Sequence, residues 1–290
     1  MALLCLCMGD YLPGSNVTVR CSLVALALAA TGCSTRTLLV VDPVFCPDGG
    51  GPGCAAGLLD GLVGFWRLND PPGNATARDS SPWGNDGILT GLDPSMAWVA
   101  GGPEGDSLAP MAKGYVNVPA STSIDSITDQ VTVAGWVYLD GTVDQYATVI
   151  SRQIGTGFGQ HYHLSLTAAL HPGLYITTTT GNQLDIVASE VVPQQTWVHL
   201  AGTYDGTTAR LYLNGAEVNS GAISGPFAAE TNPVVLSGNG NGANFAVSEM
   251  IPGQLDDVML YRRALAADEI ARIEGGALLL AGSTRTDGGP

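Results

Sequence analysis

The chain has 290 residues, of which 13% are charged, with 39 glycines and a formal net charge of −15 at pH 7. Its eleven Lys and Arg do not cluster, which excludes a nucleic-acid binder, because phosphate contacts need a basic patch. A Gly-rich, charge-poor composition suits many short strands joined by tight turns.

The N-terminal stretch reads as an address. Arg20 precedes an apolar run from Cys21 to Ala30, followed by Thr31, Gly32, Cys33 and Ser34. A positive residue, a short apolar segment and a small-residue end describe a secretory signal. The run is shorter than the roughly 20 residues that a bilayer crossing requires. Ala30-Thr31-Gly32-Cys33 resembles a bacterial lipobox, in which Cys33 would be lipidated, although Ala30 stands where the pattern prefers Leu. That implies a lipoprotein of the outer membrane or cell surface. Cleavage after Ala27-Leu28-Ala29 would instead leave a soluble secreted or periplasmic product. Residues 1–19 carry Asp10 and no basic residue, so the true start is expected downstream of Met1. Residues 1–33 thus form the signal segment, and residues 34–57, with Pro43, Pro47 and Pro52, a tether. Within the tether Cys46 and Cys54 bracket a short Gly/Pro loop and are expected to form a disulfide in an oxidising compartment. A metal site there would lack a nearby third ligand.

Residues 58–275 carry the domain, and the predicted elements are almost all strands. Leu62 to Leu68 is a β-type run ended by Asn69-Asp70-Pro71-Pro72-Gly73. Val131 to Leu139 alternates, placing Val133 and Val137 on one face and Trp136 and Tyr138 on the other. Trp197 to Tyr204 runs into Asp205-Gly206, and Ala209 to Leu213 into Asn214-Gly215, two hairpin signals. Leu255 to Tyr261 is the last strand. Ala266 to Ile273 reads as one helix, with Ile270 and Ile273 three apart and acids in its first turn. The expected fold is all-β, a two-sheet antiparallel sandwich with one short C-terminal helix. Residues 276–290 are expected to be a packed turn followed by a flexible tail.

The order of these segments resembles the laminin-G-like jelly roll of the concanavalin A-like lectin/glucanase superfamily. The segments are Gly61 to Asp70, Asp79 to Gly87, Tyr115 to Pro119, Val133 to Val137, Val149 to Arg152, Trp197 to Gly206, Leu211 to Gly215 and Gly253 to Leu265, then the Asp-Glu-Ile helix. The resemblance implies two packed antiparallel sheets acting as a recognition module for glycans or extracellular proteins. It also implies a structural calcium near the Asp79 turn.

Calcium takes six to eight oxygen ligands. Asp79, Asn85 and Asp86 in one turn, with Asp256 and Asp257 on the last strand, are the candidate ligands. Strand alternation lets only one of Asp256 and Asp257 point inward, and Asp257 is the favoured one. The plain alternative is that Asp79 and Asn85 hydrogen-bond their own turn. His161 and His163 share a strand face and can ligate zinc, but no third ligand accompanies them, which favours a polar sheet face. Trp83, Trp98, Tyr146 and Phe158 fall in or near predicted loops and are candidates to stack on a sugar ring, whereas Trp66, Trp136 and Trp197 belong to strand cores.

A glucanase needs two carboxylates flanking the scissile bond. No Glu-x-Asp-x-x-Glu pattern is present, and Glu190, Glu217, Glu230, Glu249, Glu269 and Glu274 are scattered singly. The expectation is therefore an exported, displayed binding module, probing carbohydrate first, with protein adhesion as the alternative and a divergent hydrolase third.

Overall fold

Alternating apolar residues build the strands in chain order. Leu62–Trp66 (β1), Thr76–Ala77 (β2) and Gly87–Thr90 (β3) come first, and the turn of helix Pro94–Ala97 (α1) leads into Trp98–Gly102 (β4) and Gly105–Leu108 (β5). Tyr115–Val118 (β6) and Thr122–Asp125 (α2) precede the long strands Val131–Leu139 (β7), Tyr146–Gln153 (β8) and Gln160–Thr167 (β9). Then come Pro172–Thr177 (β10), Gln183–Val187 (β11), Val198–Tyr204 (β12), Thr208–Leu213 (β13) and Ala216–Ala222 (β14). Val234–Leu236 (β15), Asn239–Asn241 (β16) and Ala246–Ser248 (β17) are short, and Gly253–Tyr261 (β18) and Ala267–Glu274 (α3) complete the order. This computed structural model describes residues 57–111, 113–156, 159–179, 181–241 and 246–278. Apart from Gly57, the stretches expected to be signal and tether, with Cys33, Cys46 and Cys54, lie outside the described residues, as do Phe158 and residues 279–290.

The strands form two antiparallel eight-stranded sheets. The first runs β14-β13-β12-β7-β18-β5-β4, with β1 also paired to β18; the second runs β11-β10-β9-β8-β15-β6-β3-β2. The expected two-sheet sandwich is therefore the observed one. Val133, Val137, Leu200, Leu255 and Val258 of the first sheet meet Val116, Val149, Tyr162, Leu164 and Leu174 of the second in one core. Each fully buried side chain of this kind stabilises by about 1.5–3 kcal/mol. Asn214 (φ 47°) and Gly215 (φ 77°) both adopt the left-handed backbone that a two-residue hairpin turn needs between β13 and β14.

A second apolar cluster lies on the outer face of the first sheet. Ile270 and Ile273 of α3 pack with Leu58, Phe65, Tyr212, Met259, Tyr261 and Leu278. This packing includes Ala277 and Leu278, where a packed turn is expected. Arg263 ties the unit together: its Nε and Nη2 donate to the Asp60 and Gly57 carbonyls, each at 2.8 Å, and both Nη atoms reach the Glu269 carboxylate at 2.7 Å. Among the described residues no such helix covers the outer face of the second sheet, where the β16–β17 hairpin lies against Val235 and β8. Gly238 makes room for that hairpin, since a Cβ there would meet Val247 Cγ1 at 2.6 Å. Among the described residues no helix is long and apolar enough to cross a membrane.

Candidate functional site

The structure splits the expected calcium ligands into two places. Asp79 is buried, and its carboxylate is fully used within its own turn. Oδ1 accepts from the Phe65 and Ser81 amides at 2.8 Å each, while Oδ2 accepts from Ser81 Oγ at 2.6 Å and the Asn85 amide at 2.7 Å. Asn85 Oδ1 takes the Ser121 hydroxyl at 2.7 Å, its amide donates to Val63 O at 2.7 Å, and Asp86 Oδ1 takes the Asp79 amide at 2.8 Å. These residues hold a turn against β1, and both Asp79 oxygens are engaged within it.

Asp256 and Asp257 differ. A register shift against β7 sets in after Asp256, and Asp257 takes a left-handed φ of 46°. The bulge breaks the alternation. Both carboxylates are consequently buried, at 1% and 2% exposure, where one inward and one outward had been expected. Asp256 Oδ1 accepts the Asp257 amide at 3.0 Å, but Asp256 Oδ2 and both Asp257 oxygens lack a hydrogen-bond partner. The β4–β5 turn roofs the pair, and a Cβ on Gly102 would lie 2.5 Å from Asp256 Oδ2. Burial, and for Asp256 the neighbouring Asp257 charge, push both carboxyls well above the usual carboxylate range, while Arg67 pulls the other way. Orphaned buried carboxylate oxygens suit a hard cation. Among the described residues no three His, Cys, Asp or Glu converge on one point, so carbonyls and water would have to complete such a shell.

The aromatic candidates also separate. Trp98 is 5% exposed, and its indole N–H donates to Asn74 O at 2.7 Å, so it is a core residue and not a loop platform. Trp197 is the converse: it precedes β12 on the rim, half-buried, donating to Gly101 O at 2.9 Å and packing on Tyr138 with ring centroids 5.6 Å apart. Trp83 is 49% exposed; it is pinned by an indole bond to Leu62 O at 2.8 Å, with the Arg262 guanidinium 5.8 Å from its ring centre.

Tyr146 and His163 come together on the outer face of the second sheet. β10 places Tyr175 beside His163, and the two rings stack with centroids 5.1 Å apart, while Tyr146 meets each edge-on at 5.6 Å. His161 shares that face but stacks on Phe227 at 5.2 Å. Burial holds the His161 imidazole down to about 4 and the His163 imidazole to about 3, so both are neutral. This face is aromatic and buried, which corrects its reading as merely polar.

Glu249 completes the group. It follows β17 with φ 62°, and its carbonyl accepts the Thr148 amide at 2.9 Å. Its Oε2 accepts from Asn239 Nδ2 at 3.0 Å and Thr148 Oγ1 at 3.3 Å. Thr148 Oγ1 also lies 2.8 Å from His163 Nε2, so the hydroxyl links the carboxylate to the ring. Burial pushes the Glu249 carboxyl up. Above it opens a cleft of about 360 Å³ lined by Thr142, Asp144, Gln145, Tyr146, Val247, Ser248, Glu249 and Met250. An aromatic ring beside a few convergent polar groups in a concavity is the usual make-up of a small-ligand site. The sequence pointed to Tyr146 and His163 but not to Glu249, Asp144 or Tyr175, which only the fold-back of β16–β17 and the β9–β10 pairing bring in.

A laminin-G family model of the concanavalin A-like lectin/glucanases superfamily matches residues 110–271, more than half of the chain. No curated protein matches significantly in sequence. Among solved structures, the binding domain of Paraclostridial Mosquitocidal Protein 1 is similar with a TM-score of 0.57 at 17% identity, over 76% of this chain and 53% of that one. Domain 4 of AbnA, a GH43 extracellular arabinanase from Geobacillus stearothermophilus, in complex with arabinotriose, gives 0.56 at 18%, over 73% of this chain and 98% of that domain. Trypanosoma rangeli sialidase gives 0.54 at 15% identity. The chain spans about half of the toxin domain and a third of the sialidase. With its two-sheet sandwich and a family match over residues 110–271, the chain belongs to the laminin-G-like branch of the concanavalin A-like lectin/glucanase superfamily.

Proposed function

We propose that the chain is an exported, surface-displayed module that binds carbohydrate in the cleft over Tyr146. The observation that carries this is the cleft itself: one tyrosine ring flanked by Asp144, Gln145, Ser248 and Glu249 offers a stacking surface and hydrogen-bond partners to a single sugar ring. A domain of similar fold, solved with arabinotriose, supports a glycan ligand. Export and display rest on the Arg20-to-Cys33 segment. The test is retention of the protein on a glycan array. Tyr146→Ala is expected to weaken the Kd of any hit by about tenfold or more, as loss of an anchoring aromatic does. The bound oligosaccharide is expected to be recovered intact after prolonged incubation, as befits a binder. Array-wide silence, or hits indifferent to Tyr146→Ala, would refute the reading.

The module further holds a structural calcium ion at Asp256 and Asp257, with Asp79, Asn85 and Asp86 left as turn-formers. Support comes from the three orphaned carboxylate oxygens in a buried position. Calcium at a hundred times its Kd is expected to stabilise by about 2.7 kcal/mol, raising the unfolding midpoint by roughly 5–10 °C. Asp257→Asn is expected to abolish that rise and, in chelator, to unfold at or above the wild-type midpoint, since it removes one of two repelling buried charges. Thermal unfolding with calcium and with chelator reads both.

A further inference from the structure

We propose that the Tyr146–Glu249 cleft selects a sugar bearing a free, protonated amine; the inference rests on the glycan-binding reading of that cleft. Glu249 is the reason. Its side chain is 13% exposed, and Oε2 is engaged by two neutral donors, Thr148 and Asn239, while nothing among the described residues donates to Oε1. A carboxylate this little exposed gains from a counter-charge, and among the described residues no Lys or Arg pairs with it. His163 Nε2 lies 3.5 Å from Oε2, yet the ring is neutral. The cleft lining contains no Lys or Arg and adds a second acid, the exposed Asp144.

An ammonium group supplies the missing charge to Glu249 and meets the face of Tyr146, whose ring quadrupole attracts cations. The backbone reinforces the placement. Glu249 is held in a left-handed conformation by the Thr148 amide, a position that a non-glycine residue keeps only where its surroundings enforce it. An N-acetylated sugar has no charge to offer and would leave the carboxylate desolvated.

The groups that face Glu249 are His163, Thr148, Asn239, Tyr146 and Asp144, with Tyr175 behind His163. Burial keeps the His163 imidazole neutral and the Tyr175 phenol protonated between pH 4 and 8. Affinity for the amine should therefore rise with pH as Glu249 ionises, over a range set above its ordinary value of 4.5, and fall again once the sugar amine loses its proton.

The experiment is calorimetric titration of the protein with a glucosamine trimer and with its fully N-acetylated counterpart, at pH 5, 6 and 7. The free-amine trimer is expected to bind at least tenfold more tightly, and Glu249→Gln to erase that preference. Asp144→Asn, an exposed change that leaves the fold untouched, is expected to reduce the preference severalfold, which keeps the test decisive should Glu249→Gln fail to fold. Equal binding of both trimers, still dependent on Tyr146, would overturn the ammonium inference and leave the glycan reading standing. An amine preference that survives both acid substitutions would overturn it too. If neither trimer binds while neutral glycans are retained on the array through Tyr146, the inference falls alone. If nothing is retained, both fall.

Discussion

Asp79→Ala is expected to lower the unfolding midpoint by on the order of 10 °C. Asp79 sits in a turn that sequence alone would offer as a metal ligand, yet its carboxylate closes four hydrogen bonds, two of them from the buried Phe65 and Asn85 amides. Alanine leaves those two donors buried and unpaired, at about 1–3 kcal/mol each. The loss therefore comes to roughly 2–6 kcal/mol for the pair, and for a domain of this size each kcal/mol moves the midpoint by roughly 2–4 °C. Asp79→Asn is expected to recover only part, because an amide presents one acceptor where the site demands two. The loss should be the same with calcium and with chelator. A loss confined to calcium-containing buffer would instead place the metal at this turn.

Arg152→Ala is the second large effect. The side chain is 2% exposed and works as a hub at one end of the sandwich. Nη1 donates to Ile124 O at 3.1 Å, Nη2 to Glu230 O at 2.8 Å and to the Asp125 carboxylate, and Nε to Asn232 O at 3.2 Å. One residue thus pins β8 to α2 and to the segment before β15. Removing one partner of a buried charged network costs about 3–5 kcal/mol. Arg152→Lys keeps the charge but replaces a planar fork by a single ammonium that cannot serve three carbonyls and a carboxylate at once. Denaturant midpoints should therefore rank wild type above Lys and Lys above Ala. Equal midpoints for Lys and wild type would show that charge alone, not the fork, holds this end.

The strands were the legible part of the fold, for a physical reason. Val131 to Leu139 alternates because one face meets the core, and β7 occupies the same residues. Asp205-Gly206 and Asn214-Gly215 mark hairpins because those residues accept the backbone that tight turns demand, and they join β12 to β13 and β13 to β14. The order across the sheets was not legible. β7 lies between β12 and β18, strands distant in sequence, and local pattern carries no record of such pairing.

The site was less legible still. Alternation predicted opposite faces for Asp256 and Asp257, but a bulge depends on the count of residues in the partner strand, which one strand's sequence does not contain. Trp98 and Trp197 exchanged roles because their burial is decided by the β4–β5 hairpin, whose Gly101 carbonyl takes the Trp197 indole. Glu249 looked like one of several scattered glutamates. Its meeting with Thr148, 101 residues earlier, comes from the way the β16–β17 hairpin folds back over β8.

The most direct test of the central claim is to map where a glycan lands. Amide chemical shifts would be followed during titration with the strongest ligand from the array. A glycan-binding cleft over Tyr146 predicts that the perturbed amides concentrate at residues 142–148 and 247–250, with Tyr175 and His163 beside them. Perturbation confined to Trp83 and Arg262 on the far edge, or spread without focus, would contradict it.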